Sequence, residues 1–472
     1  MSSNSMPQRW HLQPSEQRLL LIFGDLLAAV LALFLSLYIW AAGDEWLGFN
    51  LEFLSTRPPF WFYLLPFLWL ILMIELYDLK RAHNLLETLK GIGVATVIYG
   101  VLYLVVYFSS EPNSLPRLGV ALFVVLVAVL SLLWRLLYIK LFTAPSLLRR
   151  VLIIGAGKSG QTLADVIAAQ KPAPFILVGL IDDDPDKIGT NIYNYEVLGN
   201  GEALSSLIKA HQISDLILAI SGEMNSSMFQ AILNAQEAGI NLSTMSETYE
   251  EILGRVPIFL LEADWIIRSF VEKIPSSSFY RIGKRGLDIL GGLVGTAMMV
   301  VLLPFIAIAI LLESGRPVFY RQERLGRGGN PYTIYKFRTM KKDAEKDGEV
   351  MLTAKHDPRI TRAGRFLRKT HLDEIPQFIN VLRGNMSLVG PRSERAEWVA
   401  QFQKEIPFYR ARLLVKPGIT GWAQINQSYA ENAAEMAVKL EYDLYYIQHR
   451  TIIMDIMIIL RTIGNVLGFK GR

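Results

Sequence analysis

The sequence predicts a membrane α plus α/β protein: an N-terminal four-helix transmembrane bundle, a Rossmann-like α/β middle domain, and a C-terminal α-rich domain with a re-entrant membrane helix. Three observations predict it. Four apolar runs of spanning length fill the first third, a glycine fingerprint follows a strand-like run near the centre, and a fifth apolar segment opens a basic last third holding two adjacent acids. With 472 residues and 51% hydrophobic content, the chain exceeds one domain and is too apolar for an ordinary soluble protein.

The four runs are Leu19 to Ala42, Pro59 to Leu76, Gly91 to Phe108 and Leu118 to Leu137. Each is near the length that crosses a hydrocarbon core of about 30 Å, and together they define a bundle over residues 1–144. The first lacks the small-residue cleavage site of a signal peptide and precedes further spans, so it is retained. Lys80, Arg81 and Lys90 follow the second run, and Arg135, Lys140, Arg149 and Arg150 stand at or after the end of the fourth. Asp44, Glu45, Glu52 and Glu111 outweigh Arg57 and Arg117 in the other loops. The positive-inside rule therefore places both ends of the bundle in the cytoplasm. Asp25 lies roughly 9 Å inside the first run, shallow enough for a structural role near the interface.

From Val151 strands and helices alternate, and residues 145–274 read as a Rossmann-like domain of CoA-binding-like type. Val151-Leu152-Ile153-Ile154 runs straight into Gly155-Ala156-Gly157-Lys158-Ser159-Gly160, and Asp182 stands 22 residues beyond Gly160, where a ribose-binding acid would lie. Gly155, Gly157, Gly160 and Asp182 are candidate nucleotide-binding residues, although a tight strand-to-helix turn needs such glycines by packing alone.

Residues 275–472 form the last domain. Its apolar segment, Leu287 to Leu312, is about 39 Å long as a straight helix, enough to cross a bilayer. Arg281, Lys284 and Arg285 precede it, however, and Arg316, Arg321, Arg324 and Arg327 follow, so both flanks carry cytoplasmic charge. Pro304 inside it favours a bend. These features predict a helix that enters and returns on one side. Ile452 to Leu460, interrupted by Asp455 and followed by Arg461, reads as an interfacial helix. Tyr280-x-x-x-Lys284 matches a dehydrogenase spacing, but it falls in a linker and is read as coincidence.

Residues 281–472 hold 30 Lys+Arg against 18 Asp+Glu, leaving 18 against 25 for the first 280. A basic domain beside a membrane suits anionic headgroups and phosphorylated substrates. No nucleic-acid recognition motif accompanies the charge. The absence of Cys excludes disulfides, thiolate nucleophiles and Cys-ligated metals.

Asp373 and Glu374 open a short helix, because Ile375, Phe378, Ile379 and Leu382 recur at helical spacing and Gly384 stops it. Both acids then sit at a positive helix end. Thr370 and Asp373 equally fit a capping box. Around them stand Tyr320-Arg321-Gln322-Glu323-Arg324-Leu325-Gly326, Tyr335-Lys336-Phe337-Arg338-Thr339-Met340, and a basic run from Asp357 to Arg368. Ser387-Leu388-Val389-Gly390-Pro391-Arg392, Lys416-Pro417-Gly418-Ile419-Thr420-Gly421-Trp422 and Tyr442-Asp443-Leu444-Tyr445-Tyr446 follow. In order and spacing, from about Phe279 onward, these blocks resemble the bacterial sugar transferases, also called polyprenyl-phosphate hexose-1-phosphate transferases or monotopic phosphoglycosyl transferases.

The resemblance implies transfer of a hexose-1-phosphate from a UDP-hexose to undecaprenyl phosphate with release of UMP. That reaction would initiate a surface polysaccharide, with the catalytic domain on the cytoplasmic face of a bacterial inner membrane. It assigns Asp373 as a nucleophile that carries the phosphosugar, Glu374 to Mg²⁺ or proton handling, and Pro304 to the membrane bend. Leu303 stands where the family has a serine before the proline, and Ser393 replaces a second proline after Arg392. Lys336, Arg338, Arg359, Arg365 and Arg392 are the phosphate-binding candidates, since cations must meet the leaving phosphate. Mg²⁺ keeps several waters and needs only one or two carboxylates plus donor phosphates. His371 reads as structural. Membrane lipid is an expected partner and a homodimer is compatible. The rivals are a glycosyltransferase that moves the sugar alone and releases UDP, and a nucleotide-sensing membrane scaffold. Residual catalysis is expected to survive deletion of Met1 to Ile274.

Overall fold

The computed structural model describes residues 14–43, 48–109, 117–142, 148–170, 173–220, 222, 224–260, 278–341, 357–427 and 432–467. The chain divides into two compact units, Met1–Met245 and Ser246–Arg472. The boundaries expected at 144 and 274 lie outside the described residues, as do the loop acids Asp44, Glu45 and Glu111.

In the first unit Pro14–Ala42, Leu85–Ser109 and Arg117–Phe142 are long helices, each containing a stretch long and apolar enough to cross a membrane. The second apolar run departs from the expected uninterrupted helix. It consists of a 3-10 turn at Phe60–Leu64, an α-helix at Leu65–Leu72 and a second 3-10 turn at Ile74–Tyr77. Pro66 accounts for the first break: it is tolerated in the first turn of a helix, but in a helix running through it the missing N–H would leave the Phe62 carbonyl unpaired. Among the described residues, the N-terminal part therefore has three long helices and one interrupted run.

Asp25 is fully buried and paired at 2.5 Å with Arg135, also fully buried. Arg135 Nη1 also donates to the Leu76 carbonyl at 2.7 Å, so one guanidinium joins the first helix, the last helix and the end of the interrupted run. Removing either partner would strand a charge away from water, which makes the pair a strong constraint on the bundle's arrangement.

The same unit holds a four-stranded parallel sheet. Its four strands are β1 (Arg150–Ile154), β2 (Ile176–Ile181), β5 (Asp215–Leu218) and β6 (Asn241–Thr244), and a small hairpin of β3 (Asn191–Ile192) and β4 (Tyr195–Glu196) is inserted after β2. The sheet order is β2-β1-β5-β6, with β3 and β4 pairing apart. β1 leads through the glycine loop into the helix Lys158–Ala168. Gly155 has φ of 106°, and a Cβ on Gly160 would lie 1.9 Å from the Gly155 carbonyl oxygen, so packing alone demands both. Asp182 accepts from the Ala156 N–H at 2.7 Å and from Lys187 Nζ at 3.3 Å, which locks the loop to the end of β2.

In the second unit the segment after helix Met245–Leu253 belongs to the C-terminal core. Val256 and Ile258 are 0% and 1% exposed within a cluster that includes Leu440, Leu444 and Trp422. Hydrogen bonds run from Val256 N to Glu441 O (3.1 Å) and from Trp422 Nε1 to Gly254 O (2.7 Å). The next described element is a helix of 37 residues, Ser278–Ser314, about 56 Å long if straight. Pro304 lies within it without interrupting it.

Asp288, Gly292, Gly295, Met299, Ile306 and Ile310 recur at helical spacing and form its buried stripe, while Leu293, Val301, Phe305 and Leu312 lie exposed. The same unit grips both ends. Arg285 donates to the Val381 and Leu382 carbonyls, and Asp288 accepts from Ser387 Oγ and Leu388 N. At the far end Glu313 accepts from the N–H groups of Arg362 and Ala363.

The last helix, Ile452–Leu467, contains Asp455 not as an interfacial polar residue but fully buried. It accepts from Lys284 Nζ (2.9 Å), Tyr446 Oη (2.7 Å) and Tyr280 Oη (3.3 Å). Tyr280 and Lys284 thus share one partner, because a spacing of four puts them on one helix face.

The packing of Val256 and Ile258 predicts that Ile258→Ala destabilises the second unit by about 2–5 kcal/mol. A fragment starting at Ser246 should melt well above one starting at Phe279. Coincident melting curves for the two fragments would contradict this packing.

Candidate active site

An antiparallel hairpin, β7 (Phe319–Leu325) and β8 (Pro331–Phe337), brings Lys336 opposite Tyr320. The helix Arg362–Lys369 follows, capped where Thr361 Oγ1 accepts from the Gly364 N–H at 2.9 Å. Thr370 closes that helix in a helical conformation, donating back to the Phe366 carbonyl at 2.8 Å, and His371 takes the position before the next turn, so Thr370 does not form the capping box with Asp373. His371 then takes a left-handed conformation (φ 56°) and turns the chain into a 3-10 turn, Leu372–Glu374. Pro376, which has no N–H, separates this turn from the helix Gln377–Arg383, and Gly384 closes that helix at φ 85°. The acids therefore sit in a tight turn one step before the helix that the periodicity predicts. Beneath them Ile375 packs with Met299, Ile306, Ile310, Phe337 and Leu367, so the turn rests on the long helix.

Two short parallel strands, β9 (Ser387–Val389) and β10 (Gly418–Thr420), deliver Gly390-Pro391-Arg392 to the same place. Lys336 Nζ and Arg392 Nη2 both donate to Glu374 Oε1 at 2.7 Å. Asp373 and Glu374 are each 9% exposed. Asp373 receives no hydrogen bond among the described residues.

This difference splits the two acids. Burial, and then the neighbouring Glu374 charge, push Asp373 up to about 6, with Lys336, Arg368 and Arg392 opposing. Burial would also raise Glu374, but Arg392 and Lys336 outweigh it and hold the carboxyl well below its ordinary range. One carboxylate is fixed as an anion while its neighbour titrates closer to neutrality, the arrangement by which adjacent acids take different roles.

A cleft beside Glu374 is lined by Arg324, Lys336, Gln377, Arg392 and Ser393. Behind it the buried Arg412 donates to the Arg392 carbonyl (3.3 Å) and pairs with Asp443 (2.7 Å) and Glu394 (3.5 Å). Of the five expected phosphate ligands, the structure brings Lys336 and Arg392 together here. Arg338 instead donates to Ser314 O and Oγ and to the Gly315 carbonyl, tying off the long helix. Arg359 forms a two-point pair with Asp357 (Nε to Oδ1 2.9 Å, Nη2 to Oδ2 2.6 Å), and Arg365 is exposed on its helix.

Arg324 and Arg368 carry charge to the site without having been singled out. Strand alternation along β7, where Tyr320, Gln322 and Arg324 share the more buried side, was the signal for Arg324. Arg368 had no comparable signal. For a divalent cation, both bases donate to Glu374 Oε1, which leaves Oε2 to ligate. Among the described residues no group of three or more His, Asp or Glu could hold a metal. Such a site fits Mg²⁺ only as a carboxylate completed by substrate phosphates and water.

Residues 279–469 match the family model described as bacterial sugar transferase, and residues 73–245 that described as CoA-binding domain. A UDP-glucose:undecaprenyl-phosphate glucose-1-phosphate transferase of Klebsiella pneumoniae is 32% identical over 341 residues, 68% of each chain. A UDP-N-acetylgalactosamine-undecaprenyl-phosphate N-acetylgalactosaminephosphotransferase of Aeromonas hydrophila is 39% identical over 236 residues, 50% of this chain and 54% of that one. A UDP-galactose-lipid carrier transferase of Erwinia amylovora is 27% identical over 449 residues, 90% of this chain and 85% of that one. The chain spans about half the length of several of the curated relatives it matches. Matching over the residues that build the acid pair and its cations, the chain belongs to the bacterial sugar transferase family.

Proposed function

We propose that this protein transfers a hexose-1-phosphate from a UDP-hexose to undecaprenyl phosphate in two displacements. The observation that carries the reading is the split acid pair at the edge of a cation-lined cleft. An Asp373 carboxylate oxygen attacks the sugar-bearing phosphorus, the bond from that phosphorus to the bridging oxygen breaks, and UMP leaves with the electron pair. A phosphate oxygen of the lipid then attacks the same phosphorus and displaces Asp373, giving the lipid pyrophosphoryl sugar and the free carboxylate. Dividing the reaction keeps two anionic substrates from crowding one site.

Each residue has a distinct task. Asp373, which receives no hydrogen bond among the described residues, is the nucleophile. Lys336, Arg392 and Arg324 meet the negative charge that builds on the departing phosphate. Glu374 orients both bases and offers Oε2 to Mg²⁺, which when bound supplies further neutralisation of the pyrophosphate.

The exposed apolar side of Ser278–Ser314, with both helix ends gripped by one unit, supports a helix lodged in one leaflet and a catalytic unit on the cytoplasmic face of a bacterial inner membrane, where nucleotide sugars are made. Initiation of a surface polysaccharide is the corresponding pathway step. The names of the relatives above specify UDP-glucose, UDP-galactose or UDP-N-acetylgalactosamine, and a donor panel read by UMP release would identify the sugar.

Asp373→Asn should lower UMP release by about 10³-fold or more, and mass spectrometry of the wild type given donor alone should find a phosphosugar on Asp373. Release of UDP in place of UMP would sink the scheme.

The nucleophile must be ionised, so kcat/KM, which reports the free enzyme, should fall as pH drops through about 6, tenfold per unit below it. Lys336 lowers the Asp373 value, so Lys336→Met should move that acid limb to higher pH. A limb unmoved in this variant would separate the titration from Asp373.

A further inference from the structure

Gln377 is the first residue of the helix that follows the acid turn, and it is 2% exposed. Its Nε2 is buried and has no hydrogen-bond partner among the described residues. Buried amides nearly always find partners, because an unpaired one forfeits the hydrogen bonds that water gave it. The same helix supplies an internal comparison. Asn380, one turn further and 1% exposed, is fully used: its Oδ1 accepts from Tyr335 N at 3.2 Å and its Nδ2 donates to Thr333 O at 2.7 Å. Two amides of similar chemistry and burial, three residues apart, thus differ in that one stitches the helix to β8 and the other is left open. The open one lines the cleft together with Arg324, Lys336 and Arg392.

We infer that Gln377 is a substrate-binding residue whose side-chain amide donates a hydrogen bond to a phosphate oxygen in this cleft. The inference rests on the reaction proposed above. The three cations around the amide select an anionic acceptor, and an uncharged N–H adds direction where the cations add mainly attraction. The phosphate can be that of the nucleotide sugar or that of the lipid acceptor.

The test uses the full chain in detergent or membranes with Gln377→Met, which keeps the side chain's length and removes the amide. The melting temperature should stay equal or rise, since the free protein sheds an unpaired buried group. The KM for one phosphate substrate should rise about 10- to 100-fold, the loss expected for a hydrogen bond to a charged group. A rise for UDP-hexose assigns the contact to the donor, and a rise for undecaprenyl phosphate assigns it to the acceptor. Unchanged KM for both substrates overturns the inference, as does a fall in melting temperature shared by Gln377→Met and Gln377→Glu, which both lack the N–H and would show it already bonded in the free protein. Calorimetric titration of UMP and UDP-glucose into the wild type and Gln377→Met needs no turnover, and equal affinities across both nucleotides would also overturn a donor contact. If the wild type releases no UMP, the reaction scheme fails; if it does and Gln377→Met behaves as wild type, only this inference fails.

Discussion

The two bonds from Lys336 and Arg392 to one oxygen of Glu374 are the constraint on which the site depends. Three stretches far apart in the chain meet there: the β8 strand, the acid turn and the loop after β9. An acid so enclosed is tolerated only with opposite charge at contact distance. Its permanent negative charge then acts on Asp373, making the second carboxylate harder to ionise, and it orients the two bases before any substrate arrives. Geometry and reactivity have a common origin, and loss of either base would disturb both.

The surroundings serve that contact. Arg412, buried between Asp443 and Glu394, holds the backbone of Arg392, so the base facing Glu374 is supported by an ion-pair network of its own. From the other direction the long helix sets the depth of the turn through Met299, Ile306 and Ile310, and its ends are clamped by Asp288 and Glu313. The segment with the apolar exposed side is thus the same one that positions the chemistry. The exposed apolar side and the packing that sets the acid turn are properties of one element.

What could be read from the sequence followed the range of the interactions. The closing Gly384 and the glycine loop depend on neighbours a few residues away, and their local rules hold, whereas the left-handed His371 and Pro376 set the acid pair in a turn ahead of the helix that its periodicity predicts. Pro66 was equally visible, and its effect on the second apolar run is a local one that hydropathy alone overlooks. Asp25 and Asp455 were opaque because their partners lie 110 and 171 residues distant, so an acid in an apolar run looks like an interfacial group until the pairing is known. The basic residues were hard to sort for a related reason: Lys336, Arg338, Arg359 and Arg392 look alike in sequence, yet Lys336 and Arg392 reach Glu374 while Arg338 binds a helix end and Arg359 an aspartate two residues away.

Residues 246–260 run on from the parallel-sheet unit in sequence but bury Val256 and Ile258 in the neighbouring one. Modular exchange among relatives, natural or engineered, therefore has its seam ahead of Ser246 and not at the apolar helix. A chimera joined at the helix would import a foreign strap into a core shaped for this one, and a mismatch of a single methylene there would be felt by the helix that carries Asp443.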